Sequence, residues 1–84
     1  MQVTVRYFAS VRELLGAKES IDVVPGTTLA ALREQLAASS PRHAEVLQRG
    51  RALRCAVDQV LVADDRTPIH DGAEVAFFPP VTGG

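Results

Sequence analysis

Tryptophan is absent from this 84-residue chain, and cysteine and tyrosine each occur once. The lone cysteine, Cys55, closes no internal disulfide and supplies no zinc or iron–sulfur ligand set. Neither sign of charge predominates: nine Lys and Arg against ten Asp and Glu leave a formal net charge of −1. A duplex-binding module carries a basic excess, so nucleic acid is a poor candidate partner. No apolar run approaches the roughly 20 residues of a membrane span. The first residues, Met1 to Phe8, alternate in character and form no signal-peptide apolar block. A Gly-rich phosphate loop, a His-Glu-x-x-His pair and a Gly-x-Ser-x-Gly elbow are all missing. These absences describe a cytoplasmic, soluble chain with no metal site and no stably bound cofactor. What is present is ordinary for a globular domain, 46% apolar and 23% charged. The length leaves room for one core, which buries about 60–65% of the surface the unfolded chain exposes.

Gln2 to Phe8 alternates with period two, placing Val3, Val5 and Tyr7 on one face and Thr4, Arg6 and Phe8 on the other. Ser10 and Glu13 have the spacing of a capping box, predicting a short helix that Gly16 ends in the left-handed conformation. Ser20 to Val24 reads as a second strand, closed by Pro25-Gly26. Thr27-Thr28 offers an N-cap to the main helix, whose Leu29, Leu32 and Leu36 recur at helical spacing. Ser40 before Pro41 starts another short helix, expected to stop at Gly50. Leu53 to Val57 and Val60 to Val62 are strands about an Asp58-Gln59 turn, and Glu74 to Phe78 is the last strand before Pro79-Pro80. Two strands before the main helix and three after it predict an α+β domain. Its expected form is a β-grasp, one mixed sheet of about five strands crossed by one helix. The expected division is a domain over 1–78 and an extended tail over 79–84.

His43 and His70 lie in polar segments and read as solvated or structural side chains, with no neighbouring cluster in the sequence to make a site. Cys55 sits in an apolar strand and reads as a small hydrophobe. Asp64, Asp65 and Asp71 suit turns better than a cation site.

The ending, Phe77-Phe78-Pro79-Pro80-Val81-Thr82-Gly83-Gly84, is the informative stretch. Final residues of most chains fray. Here two prolines favour an extended stalk, and two glycines remove every side chain beside the carboxylate of Gly84. Such an end fits a narrow channel in another protein. Ordering each glycine costs about 1–2 kcal/mol, so the receiving site must hold the backbone by hydrogen bonds.

The stretches Val5 to Gly16 and Asp71 to Gly84 resemble the start and the ending of the small subunit of molybdopterin synthase, a ubiquitin-like sulfur-carrier family. Thr28 to Arg33 and Ala56 to Gln59 fall at the expected places between them, so the resemblance spans the chain. Asp58 stands where Asn is common in that family, and both residues suit a turn. The resemblance implies a non-catalytic, sulfur-donating subunit. A ubiquitin-activating-type adenylyltransferase would use ATP and magnesium to adenylate Gly84, and a persulfide donor would convert the adenylate to a thiocarboxylate. The tail, including Gly83, would then enter the large subunit, where the sulfur passes to the cyclic pyranopterin precursor to build the molybdopterin dithiolene. Two small and two large subunits are expected in the assembly.

Strand parity separately places Phe8 and Phe78 outward near the root of the tail, with Leu61 able to join them. These three are the expected docking anchors, Arg12 an expected rim charge, and Pro79, Pro80, Val81 and Thr82 the expected tail contacts. Two other readings stay open: a sulfur carrier for thiamine synthesis or RNA thiolation, and a ubiquitin-like interaction module without acyl chemistry.

Overall fold

The computed structural model describes residues 1–48 and 52–80. Strand β1, Gln2–Tyr7, lies second from one edge of a five-stranded sheet ordered β2-β1-β5-β3-β4. β2 is Lys18–Asp22, β3 is Arg54–Val57, β4 is Val60–Val62 and β5 is Glu74–Phe78. β1 runs parallel to β5 and antiparallel to β2, and β3 is antiparallel to both β4 and β5. The sheet is therefore mixed, with the first and last strands side by side at its middle, which element order alone could not decide. Val3, Val5 and Tyr7 point inward from β1 and Val75 and Phe77 from β5, all of them buried. Phe77 and Tyr7 stack with centroids 6.3 Å apart.

The main helix α2, Leu29–Ala37, starts where Thr28 Oγ1 accepts the Ala31 amide at 3.2 Å. Its Leu29, Leu32 and Leu36 enter the same apolar cluster as the inward strand residues. Helix α3, Pro41–Leu47, is capped by Ser40, and Arg33 of α2 donates to the carbonyls of Leu47 and Gln48 at 2.7 and 2.9 Å. That clamp satisfies carbonyls that the end of α3 leaves bare. The expected stop at Gly50 lies outside the described residues, and the helix itself ends at Leu47. Among the described residues, no helix is long and apolar enough to cross a membrane.

Three local readings need correction. Helix α1 is Ala9–Leu15, its N-cap is Phe8, and no side chain caps it. The Ser10–Glu13 capping box does not form because the strand turns into the helix two residues early: the Phe8 carbonyl accepts the Arg12 amide at 3.3 Å, and Ala9 takes φ 53°. Gly16 does end α1 at positive φ, but with φ 93° and ψ 178° it lies in the extended region open to glycine and not in the left-handed helical well. Strand β2 begins at Lys18, two residues before the expected Ser20, because Glu19 pairs with Val5 and Lys18 with Arg6. Val23, beyond the strand, is still buried and donates to the Met1 carbonyl at 2.8 Å.

Candidate functional site: an apolar groove on the outer sheet face

One row of cross-strand neighbours traverses the sheet: Lys18, Arg6, Ala76, Ala56 and Leu61. Two alanines at its centre make a low floor, and larger side chains stand around them. Phe8 and Phe78 rise beside that floor, with Gln59 from the β3–β4 turn and Glu74 from β5 also lining a groove of about 610 Å³. Pro79 and Pro80 complete the lining, so the groove opens where the chain leaves the last strand. Phe8 is 41% exposed and Phe78 is half-buried. Large rings over small floor residues form a preshaped apolar slot, the form that interface anchors take.

The β1–α1 corner aims Phe8 at this slot. Its amide still donates to the Phe77 carbonyl at 3.2 Å, extending the parallel ladder one residue past β1. The strand alternation therefore carries through to Phe8 and sends its ring outward. Ala9, at the positive-φ turn, lines the groove beside it. Arg6 lies 3.4 Å from Glu74 through Nε, an ion pair in which that nitrogen is buried without an aligned hydrogen bond.

Leu61 is 64% exposed but lines an adjacent groove of about 760 Å³ with Arg54, Cys55 and Pro80. The three expected anchors thus share a sheet face without sharing one cavity, and Pro80 borders both grooves. Arg12 is exposed on α1 and lines neither groove. Val81, Thr82, Gly83 and Gly84 lie outside the described residues. Ala56, Gln59 and Arg54 belong to this face and were not singled out from the sequence. No sequence signal marks Ala56, because its place opposite Ala76 follows from the β3–β5 pairing.

Away from the groove, His43 takes the structural one of its two expected roles. Its Nε2 lies 2.8 Å from Glu19 Oε2, its Nδ1 2.7 Å from Ser40 Oγ, and the Tyr7 hydroxyl donates to the same Glu19 oxygen at 2.9 Å. Burial first, and then the Glu19 carboxylate, push the Tyr7 hydroxyl well above the usual phenol range. This chain of contacts ties α3 to the β1–β2 edge and faces neither groove. Asp64 Oδ1 accepts the Arg66 amide at 3.0 Å and works as a turn residue, whereas Asp71 Oδ1 accepts the Gln2 amide at 3.0 Å and ties the loop before β5 to the start of β1. Among the described residues, no group of three or more His, Cys, Asp and Glu side chains could hold a metal ion.

Cys55 is half-buried on the inward face opposite Phe77, and burial pushes its thiol pKa up. A thiol held protonated is a poor nucleophile. Cys55→Ala is therefore expected to leave any sulfur transfer by this chain near the wild-type rate, with a stability loss of about 1 kcal/mol. Single-turnover kinetics and thermal melting measure the two quantities. A folded Cys55→Ala protein without transfer would put the thiol in the chemistry.

A mixed five-stranded sheet with β1 and β5 paired at its middle and one main helix over it is a ubiquitin-like β-grasp domain. The ThiS family model matches residues 5–84, and the chain belongs to that family. It is 49% identical over 82 residues to the molybdopterin synthase sulfur carrier subunit of Escherichia coli (strain K12), covering 98% of this chain and 99% of that protein. A chain of the protein–protein complex of subunits 1 and 2 of the molybdopterin-converting factor from Helicobacter pylori 26695 superposes with TM-score 0.71 at 27% identity, over 100% of both chains. The small archaeal modifier protein 1 of H. volcanii shares the fold, with TM-score 0.77 at 20% identity over 95% of this chain and 98% of that one.

Proposed function

We propose that this chain is the sulfur carrier subunit of molybdopterin synthase, acting in the cytoplasm in molybdenum cofactor biosynthesis. The observation that carries the reading is the full-length 49% identity to a protein of that name. The apolar groove at Pro79 and Pro80 supports it, because a carrier needs a docking face beside the root of its reactive end. The Helicobacter pylori complex supports a large-subunit partner. Two copies of each subunit would make the assembly.

In this reading the Gly84 carboxylate is the working group. A carboxylate is a poor acyl donor, so an adenylyltransferase first joins it to AMP: a carboxylate oxygen attacks the α-phosphorus of ATP and magnesium pyrophosphate leaves. The terminal sulfur of a persulfide then attacks the acyl carbon and AMP departs. A thiol cleaves the resulting acyl disulfide at its S–S bond, leaving the thiocarboxylate. This soft anionic nucleophile, delivered into the large subunit, supplies dithiolene sulfur to the pyranopterin precursor and reverts to a carboxylate on hydrolysis. The chain's own contribution is positioning. Phe8, Phe78 and Leu61 fix the domain on the partner, Pro79 and Pro80 restrict the stalk, and Gly83 and Gly84 admit it to a narrow channel.

Intact-mass analysis tests the reading. With a cognate adenylyltransferase and ATP, the chain is expected to gain AMP less one water. With a persulfide source and a thiol, it is expected to exchange one oxygen for sulfur. A chain that gains neither, beside a control carrier that gains both, overturns it.

A further inference from the structure

His70, in the loop before β5, uses both ring nitrogens. Nδ1 lies 2.8 Å from the Asp71 carbonyl oxygen, and Nε2 meets the Asp58 carboxylate through Oδ2. Both partners are acceptors only, so both nitrogens must carry hydrogen for both bonds to form. That is the imidazolium. The neutral ring keeps one donor and turns a lone pair toward the other oxygen. Asp58 is itself committed on its remaining side: Oδ1 accepts the Glu74 amide at 3.0 Å, and the Asp58 amide donates to the Glu74 carbonyl at 2.8 Å. Asp58 and Gln59 form the β3–β4 turn at φ 50° and 70°, both in the left-handed region where a side chain is strained. Gln59 lines the apolar groove, and Leu61 follows on the same hairpin.

We propose that the His70–Asp58 contact is a protonation-dependent pin that holds the β3–β4 hairpin, and with it one wall of the docking groove, in the shape a protein partner binds. With the ring protonated, the hairpin turn is tied to the loop before β5. With the ring neutral, its single N–H serves either Asp58 or the Asp71 carbonyl, so the brace between loop and turn loses one of its two hydrogen bonds and its charge. The two bonds between Asp58 and Glu74 remain. The turn is held less firmly, and Gln59 and the strand that carries Leu61 gain freedom to shift. Apparent affinity then falls by the fraction of molecules still correctly shaped. The charged groups about the ring are Asp58 from the turn and Asp71 from its own loop; the Glu74 carboxylate on β5 is engaged by Arg6 at 3.4 Å, and the Asp71 carboxylate by the Gln2 amide at 3.0 Å. In agreement with the geometry, the hydrogen bond to Asp58 and then that to the Asp71 carbonyl raise the His70 pKa above its ordinary value, while Asp58 is lowered. A raised histidine pKa stabilises the fold fully below the unfolded value and loses that contribution as pH rises through the folded one. The pin therefore opens on the alkaline side, above the ordinary histidine midpoint.

The movement of the hairpin is tested without any partner. An NMR titration from about pH 6 to about pH 8.5 is expected to show the Gln59 and Leu61 amides shifting with the midpoint of the His70 ring, and His70→Gln is expected to abolish that shared transition. Hairpin amides that ignore the His70 midpoint in wild type overturn the proposal. So does a transition that persists unchanged in His70→Gln. The docking arm rests on the partner reading above: wild-type affinity for the large subunit is expected to weaken about two- to fivefold over the same range, with His70→Gln flat. Wild-type affinity that stays flat while the hairpin moves overturns the link to docking. Absence of binding at every pH instead counts against the carrier reading and leaves the NMR result to decide the pin.

Discussion

Deletion of Gly84 is expected to abolish sulfur transfer while leaving affinity for the large subunit within about threefold of wild type. The shortened chain would still end in a glycine carboxylate, so its intrinsic chemistry is unchanged. What changes is reach. Removing one residue draws the carboxylate back by about 3.5 Å, the span of one extended residue. Misplacement of a reacting atom by much less than that costs about a hundredfold in rate, so a loss beyond that factor is expected. Affinity survives because the groove walls Phe8 and Phe78 and the stalk residues Pro79 and Pro80 are untouched. Calorimetric titration with the large subunit and single-turnover conversion of the pterin precursor read the two quantities on the same protein. The shortened chain is loaded chemically as its thiocarboxylate, which separates failure of transfer from failure of adenylation. Precursor conversion at the wild-type rate by that loaded variant would end the carrier argument.

The contrast between local pattern and observed contacts explains what was legible in the sequence. The alternation of Val3, Val5 and Tyr7, the leucine spacing of α2 and the Ser40–Pro41 start of α3 each reflect one element meeting one core, and each is visible within a few residues. The Ser10–Glu13 pattern failed because helix entry depends on where the strand ladder ends: Phe8 is held by Phe77, on the far side of the chain, and the turn comes at Ala9. Glu19 was missed, and the partners of a structural His43 stayed hidden, for the same reason. Glu19 reads as a surface residue until pairing with Val5 turns it inward, and only then do Tyr7 and His43 become its partners, 12 and 24 residues away. The outward parity of Phe8 and Phe78 was readable, yet the groove between them needed Ala56 and Ala76 brought side by side by the β3–β5 pairing. Leu61 illustrates the remaining gap: parity assigned its face, while its position at the edge of the sheet assigned it to the neighbouring groove.

Phe77 and Phe78 are adjacent in sequence and are expected to fail in opposite ways. The Phe77 ring is fully buried, stacks on Tyr7 and belongs to the core cluster. Phe77→Ala removes that ring and leaves a cavity walled by a sheet that cannot collapse, a change worth about 3–5 kcal/mol. A domain this small has little stability to lose, and the melting temperature is expected to fall by about 15–30 °C. Phe78 lies one residue on, with its ring on the outer face, half-buried at the groove. Phe78→Ala is expected to lower the melting temperature by only about 5 °C and to weaken large-subunit binding by about 1–3 kcal/mol, the range for an interface anchor. Melting curves for both variants and calorimetric titration of Phe78→Ala are sufficient. If Phe78→Ala melts as low as Phe77→Ala, the ring belongs to the core. If it melts high and binds like wild type, the groove is not the docking face and the energy lies with Leu61 and the tail. The opposition follows from strand alternation alone: one residue's step along β5 exchanges the interior for the surface, and so exchanges folding for binding as the property at risk.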